Sequence, residues 1–315
     1  MKRLLFSIAF YIIFITKLLS NPTGDPVITV FAGHHAGLGR YNEKSGFELT
    51  RAYIGYQFEL SPALSGKVIV DAANPSSGSS STSIVLKHAQ LTWSDKGFTV
   101  NAGMIGLLQF SLQEKAWGYR YIEDSYQAIK GMGPSADLGI TAQYQPTSWI
   151  AVDLSVTNGE GYKKVSNDNN YRYATGLTLL PFPELTLRAY ADVYSGEPDN
   201  QQTLSLFAHY KYSAFSLGAE YNAQINHQFT KGNRIAGYSA YATFSLSERW
   251  NIFGRYDYAH AANNDNPIWY SGLRDLLFAG VEYRPLKQLR IAPNYRYGYA
   301  ADPVHEIYVN VGFYW

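Results

Sequence analysis

The stretch "ELTLRAYADVY", Glu184 to Tyr194, separates into two faces when it is read at every second residue. Leu185, Leu187, Ala189, Ala191 and Val193 make one face; Thr186, Arg188, Tyr190, Asp192 and Tyr194 make the other. Successive side chains of a strand point to opposite sides of a sheet, so this is a β-strand with one apolar and one polar face. The fold turns on which face looks inward, and on what Arg188 and Asp192 look at.

The same alternation recurs along the chain. "FELTRAYIGYQFEL", "GKVIVDA", "FTVNAGM", "ADLGITAQY", "WIAVDLSV", "YRYATGLTLL", "TLSLFAHYKY", "FSLGAEYNAQ", "GYSAYATFSL", "WNIFGRYDYA", "LLFAGVEY", "LRIAPNYRY" and "HEIYVNVGFYW" carry it. With the opening stretch, "VITVFAG" and "SIVLKHAQLTW" the chain shows sixteen such segments, within a range of 14–18. No long stretch shows helical periodicity. The connections alternate in length: "SPALS", "SDKG", "QPTS", "PFPE", "YSA", "LSER" and "PLKQ" are short, and the connections between them are longer and polar. An up-and-down antiparallel barrel with two unlike ends produces this pattern. Transmembrane barrels have short periplasmic turns, longer extracellular loops and, in bacteria, an even strand number. A soluble sandwich or barrel would also alternate, but has no reason to sort its loops by length.

In a membrane barrel the apolar face meets lipid and the polar face lines the lumen. Ile150, Val152, Leu154 and Val156 then face out, with Asp153 and Ser155 inside; Phe215, Leu217, Ala219, Tyr221 and Ala223 oppose Glu220, Asn222 and Gln224. Lys87 breaks the rule, because Val85, Ala89, Leu91 and Trp93 share its phase. It is expected near the rim of the lipid face, with its ammonium snorkelling.

The N-terminus sets the compartment. Lys2 and Arg3 precede "LLFSIAFYIIFIT", and a small residue, Ser20, follows. A charged start, a short apolar run and a small residue describe a signal peptide over residues 1–20, leaving residues 21–315 as one barrel domain. Its removal takes three positive charges from a formal net charge of +1, which becomes −2. That balance offers no basic footprint for nucleic acid. The chain has no Cys, 27 Tyr and only 16% charged residues, against about 25% in soluble domains. Export and this composition place the chain in the bacterial outer membrane, in contact with its lipid. The last strand, "IYVNVGFYW", puts Ile307, Val309, Val311, Phe313 and Trp315 on the lipid face. It resembles the C-terminal signal read by the barrel assembly machinery.

Sixteen strands leave an aqueous channel unless something fills it. The connection from Leu108 to Ser135 is far longer than ordinary loops and rich in aromatics and charges, so it is expected to fold into the lumen. Glu114, Lys115, Arg120, Glu123, Asp124 and Lys130 are its candidates for a constriction, with Trp117, Tyr119 and Tyr121 packing it against the wall. A cap over the extracellular mouth is the competing placement. A long third loop after the fifth strand matches the sixteen-stranded general porins. The wording "QEKAWGYRYIEDSYQ", then "SADLGI", with "FELTRAYIGYQ" earlier, resembles porins of the phosphate-selective (O/P-like) superfamily. That resemblance implies a homotrimer of water-filled pores, some of them anion-selective through ladders of Lys and Arg.

The luminal charges depart from such a ladder. The cations are Arg51, Lys67, Arg172, Arg188, Lys211, Arg255, Arg290 and Arg296; the carboxylates are Asp71, Asp137, Asp153, Asp192, Glu220, Asp257, Glu282 and Glu306. Charge selectivity comes from rings of one sign, and these numbers are balanced. Cations facing carboxylates across the pore, and cations paired with them on the wall, both fit the sequence.

No G-x-S-x-G elbow, HExxH or P-loop appears among the residues, so an enzyme is not expected, and neither is a cofactor or a metal site. His34 and His35 are adjacent in a strand and face opposite ways; "SNDNN" and "NNDN" read as turns before they read as Ca²⁺ loops. The sequence therefore points to a porin for passive diffusion of small hydrophilic solutes. A substrate-selective channel for phosphate, another anion or a sugar is one alternative, and a barrel whose loops bind a partner at the cell surface is the other.

Overall fold

In the computed structural model, which describes residues 23–39, 45–73, 83–164, 168–263, 270, 272 and 274–315, the two faces of Glu184–Tyr194 acquire directions. Arg188, Tyr190, Asp192 and Tyr194 are buried, while Ala189, Ala191 and Val193 between them are exposed on the outer surface. The expected signal peptide lies outside the described residues, as do the first two residues of "SNDNN" and the last three of "NNDN".

The strands are β1 (Thr23–Leu38), β2 (Ser45–Ser61), β3 (Leu64–Ala73), β4 (Ser83–Asp95), β5 (Phe98–Gly106), β6 (Ala136–Thr147), β7 (Ile150–Thr157) and β8 (Arg172–Phe182). They continue as β9 (Leu185–Tyr194), β10 (Gln201–Tyr212), β11 (Phe215–Ile225), β12 (Arg234–Ser245), β13 (Trp250–Ala262), β14 (Asp275–Leu286), β15 (Leu289–Tyr299) and β16 (Pro303–Tyr314). Each pairs with its chain neighbours, and β1 pairs with β16, so sixteen strands form one closed all-β antiparallel barrel. Closure is in register from Thr29 opposite Tyr314 to Leu38 opposite His305. Ile28 and Trp315 then exchange backbone hydrogen bonds of 2.8 and 2.7 Å. In hydrocarbon an open edge would leave every second backbone group unpaired, so closure is a condition for a sheet that reaches lipid.

The outer face is apolar and ringed with aromatics. Phe98–Tyr144, Phe215–Phe244 and Trp250–Tyr283 pair across neighbouring strands at centroid distances of 4.1, 4.7 and 4.5 Å, each beside a short turn. They form the girdle expected at one membrane interface. Among the described residues no helix is long and apolar enough to cross a membrane, and the strands do the crossing.

Lys87 is not on the lipid face. The pairing of β3 with β4 runs from Ile69 opposite His88 directly to Val70 opposite Leu86, so Lys87 is an extra residue at a β-bulge. A bulge shifts the phase of its strand by one. Ile84 and Leu86 before it, and Leu91 and Trp93 after it, are all exposed to the outside. Lys87 turns into the lumen, where its ammonium donates to the Tyr53 hydroxyl at 2.7 Å and lies 4.1 Å from that ring.

The connection between β5 and β6 carries two helices, α1 (Leu108–Trp117) and α2 (Tyr126–Ile129), and lies inside the barrel. The lumen's cluster of rings joins Trp117, Tyr119 and Tyr121 of this loop to Phe31, Phe207, Tyr241, Phe253 and Phe278 of the wall.

A charge on the outer face tests this assignment. Leu206→Arg, outward on β10, is expected to lower unfolding stability in vesicles by about 2–4 kcal/mol. Gln143→Arg, on the inner face of β6, is expected to change it by less than about 0.5 kcal/mol in the same denaturant titration.

Candidate functional site

The third loop is pinned along its length. In α1, Gln109, Phe110, Gln113 and Trp117 recur at helical spacing on the buried side. Gln109 donates to Ser205 at 3.0 Å and accepts from Arg188 at 2.8 Å, while Gln113 donates to Glu220 at 2.5 Å. The helix stops at Gly118, whose φ of 75° is left-handed and whose N–H returns to the Glu114 carbonyl at 2.9 Å. Aromatic packing follows: Tyr119 lies 4.4 Å from Phe253 and Trp117 lies 5.4 Å from Tyr241 between centroids. Tyr121 lies flat over Gly312, where a Cβ would come 2.8 Å from its ring.

Arginines of the wall then grip the loop's backbone. Arg290 donates to the Gly118 carbonyl at 3.0 Å, Arg296 to that of Ile122 at 2.8 Å, and Arg255 to that of Asp124 at 2.7 Å. Tyr121 donates to Glu282 at 2.9 Å, and farther along Gln127 donates to Asn222 at 2.7 Å and Gln224 to the Met132 carbonyl at 2.8 Å. These partners belong to β9–β16, so the loop lies against one half of the barrel.

The charges of the wall are paired with one another. Arg188 binds Asp153 through two bonds of 2.7 and 3.0 Å, reaching over β8 where Gly176 leaves room: a Cβ there would lie 2.6 Å from both the guanidinium carbon and the Asp153 carboxylate. Asp192 takes Arg172 at 3.1 Å, and Asp257 takes Arg255 at 2.8 and 2.7 Å. Arg51 meets Asp71 at 3.3 Å. Glu220 is held by Gln113 and Asn222, and Glu282 by Tyr121, Asn251 and Arg284. Such buried pairs fix geometry more than they add stability, and removing one member costs about 3–5 kcal/mol. Asp137 accepts from the backbone N–H of Gly159 at 2.6 Å.

Of the loop's charged candidates, Lys115 is exposed to the lumen. Glu114 and Asp124 flank Arg120, and Asp124 reaches Arg51 at 3.7 Å, which ties the loop to β2 and β3 through Asp71. Glu123 pairs with Arg296 at 3.4 Å. Lys130 is buried behind the loop, over the Tyr126 ring at 5.8 Å. Burial pushes the Glu123 carboxyl up and the Lys130 ammonium down from their ordinary ranges.

Opposite the loop runs the free lumen. A cavity of about 230 Å³ is lined by Lys67, Gln90, Asn101, Thr141, Gln143 and Ser155 of the wall and by Leu108 and Ser111 of α1. Shared Lys67 and Gln90 join it to a space at the start of β1, and shared Leu108 and Gln143 join it to one reaching Lys115, His209 and Lys211. Its wall is a ladder of neutral groups: Gln90 donates to Asn101 at 2.8 Å and Asn101 to Thr141 at 3.0 Å. Charge does not mark these amides and hydroxyls; their signal in the sequence is the recurrence of polar residues at every second position of β4 to β7.

The profile of the β-barrel porin-2, OmpL-like family matches residues 121–307, more than half of the chain. The OmpF–daunomycin complex of Salmonella typhi has the same fold at a TM-score of 0.74 and 12% identity, over 93% of this chain and 97% of that one. The outer membrane channel DcaP of Acinetobacter baumannii follows at 0.71 and 12%, over 94% and 99%. The trimer form of OmpT, an outer membrane protein of Vibrio cholerae, gives 0.65 and 11%, over 94% and 100%. No curated protein sequence matches the chain.

Releasing the clamp should be visible electrically. Arg290→Ala with Arg296→Ala removes charge-assisted bonds worth about 1.5–3 kcal/mol each. Single-channel recordings are expected to show added current noise and sublevels as the loop loosens, with a barrel that still resists detergent at room temperature.

Proposed function

The chain belongs to the OmpL-like β-barrel porin-2 family, and from that premise we propose that it lets small hydrophilic solutes and ions diffuse passively across the bacterial outer membrane. The observation that carries this reading is the chain of polar spaces, joined by shared lining residues, between the pinned third loop and the wall of β1–β10. A sixteen-stranded barrel is wide enough for water, and a loop held on one side narrows it without filling it.

Ion preference follows from which charges are free. The arginines are engaged with carboxylates or loop carbonyls, whereas Lys67, Lys115 and Lys211 line the corridor with no carboxylate within 4.0 Å among the described residues. Weak anion selectivity is the preference we infer from these lysines at mid-corridor and along α1, while Asp25 and Glu59, carboxylates with no basic partner within 4.0 Å among the described residues, line the space at the start of β1. The constriction is formed by α1 around Lys115, with Glu114, Arg120 and Asp124 holding the loop's far bend.

Residues 1–20 serve as the export signal in this reading, and the final strand is the part offered to the barrel assembly machinery. A homotrimer is the proposed assembly, in keeping with the trimer form of the Vibrio cholerae protein. The likeness of "QEKAWGYRYIEDSYQ" to the O/P-like porins supports a finer kinship within the porins. The reading requires no catalytic group, cofactor or nucleic acid.

Planar-bilayer recordings of the refolded protein test it. Stepwise conductance in KCl is expected, with a reversal potential of anionic sign under a salt gradient. Lys115→Gln with Lys211→Gln should move that potential toward the cation side. A folded barrel that passes no current would overturn the proposal.

A further inference from the structure

Helix α1 turns amides to the wall and leucines to the passage. On its buried side Gln109 and Gln113 stand beside Phe110 and Trp117, and both amides are spent on Ser205 and Glu220. On its other side Leu108, Leu112 and Ala116 recur four residues apart and form one stripe. None of the three is fully buried, and all three line the corridor, with the exposed Ser111 and Lys115 beside them. A helix that meets water on one side ordinarily turns its apolar residues away from it. Here the leucines face the passage.

The wall that shares these spaces is polar and neutral. A one-way chain of hydrogen bonds runs along it: the Gly106 N–H donates to Gln90 at 3.1 Å, Gln90 to Asn101 at 2.8 Å, and Asn101 to Thr141 at 3.0 Å. The chain ends on the Thr141 oxygen, whose own hydrogen has no acceptor among the described residues. Ser155 stands opposite Thr141 in the pairing of β6 with β7, and Gln143 lies two residues along β6. Neither side chain is engaged in a hydrogen bond among the described residues, and both line the 230 Å³ cavity with Thr141.

Leu108 and Gln143 each border this cavity and also the neighbouring space of about 360 Å³. A leucine of the loop and an amide of the wall thus flank the opening between the two. The carboxylate that lines the first cavity, Asp153, has both oxygens taken by Arg188. Lys67 is shared with the space at the start of β1, and Lys115 and Lys211 line the other space, so the lysines stand to either side of this opening.

Two surfaces of opposite character suit a solute that has both. A pyranose ring carries an apolar C–H face and a rim of hydroxyls, each of them donor and acceptor. Ligand sites commonly join an apolar lining to a few placed polar groups. A small inorganic ion gains nothing from leucines, and an open-chain polyol has no rigid face to lay on them.

We propose that the slit between the leucine stripe of α1 and the neutral wall of β6 and β7 is a binding site for a neutral pyranose sugar. Its C–H face lies on Leu108 and Leu112, and its hydroxyls meet Thr141, Gln143 and Ser155. The inference rests on the porin reading and adds a resting point to the diffusion path. Sugars pause there and obstruct the ion current while they stay.

Conductance of the intact porin in KCl, recorded as glucose is added, tests this, with sorbitol at equal osmolality as the control for viscosity. Glucose is expected to lower the current along a saturating curve and to add noise, whereas sorbitol lowers it linearly. Leu108→Ser with Leu112→Ser should raise the half-effective glucose concentration about tenfold, the effect of losing about 50–60 Å² of apolar contact. Gln143→Ala should weaken binding from the other wall, and Leu112→Met, which keeps an apolar face, should preserve it. Variants that conduct KCl are folded and open, so their glucose curves can be compared. Equal curves for glucose and sorbitol in the unaltered protein, an unchanged half-effect in the double serine variant, or a stronger effect of glucuronate than of glucose would refute the site and leave the porin reading intact. Absence of KCl conductance in the unaltered protein would remove the porin reading itself.

Discussion

Between Ile28 and Trp315 two backbone hydrogen bonds join the chain's last residue to its first strand. They answer the constraint that governs the whole molecule. Water at a sheet edge can satisfy a free N–H or C=O, whereas hydrocarbon cannot, and each unpaired group there costs several kcal/mol. A sheet that meets lipid has to end where it began. Once it does, the two-residue period of a strand assigns every side chain to lipid or lumen. Apolar residues can cover the outside only if the polar ones are gathered inside, and this interior is accordingly rich in arginine, carboxylate and amide.

A crowded polar interior has its own requirement, because buried charges need partners. The barrel meets it in two ways. Neighbouring strands supply pairs such as Arg172–Asp192, and the inserted loop supplies backbone carbonyls to Arg255, Arg290 and Arg296. The loop is therefore both what narrows the lumen and what satisfies half of its wall. Its position follows from the wall's chemistry as much as from its own: the aromatic cluster around Phe253 and the carbonyl-binding arginines lie on β9–β16, and the neutral ladder on β4–β7 has nothing comparable to hold it. The passage runs along the wall of β1–β8 and meets the loop-bearing half at β9 and β10. Charges that are numerous in the sequence thus become few in the corridor, where Lys67, Lys115 and Lys211 stand among amides and hydroxyls and Asp25 and Glu59 line the space at the start of β1.

Much of this could be read along the chain, because the governing period is local. Arg188 and Asp192, four residues apart on one strand, share an inner face as the alternation requires, and the length of the third loop points to the lumen. Their partners could not be read. Arg188 passes over Gly176 to reach Asp153, and Asp192 takes Arg172, so the two residues that look like a pair belong to different ones. Lys87 shows the other kind of limit. An inserted residue leaves no mark in its own strand except a broken phase, and whether that means a charge on lipid or a bulge is decided by the register of β3 against β4. The helix of the loop leaves no apolar stripe on its buried side in the sequence for a related reason: its four buried positions mix Gln with Phe and Trp, because the surface it packs on is polar as well as apolar.

From the sequence alone followed the class of fold, a strand count of sixteen within 14–18, the lipid face of the strands that keep their phase, and the unlikeness of the third connection. Each of these depends on spacing between residues near one another in the chain. The tertiary structure alone decided which charges neutralise which, which half of the wall holds the loop, and which lysines are left facing the corridor. Those outcomes depend on contacts such as Tyr121 with Glu282, 161 residues apart, and on a single extra residue in β4. Alternation is a property of the backbone, whereas pairing is a property of the closed barrel, in which distant side chains compete for the same few partners.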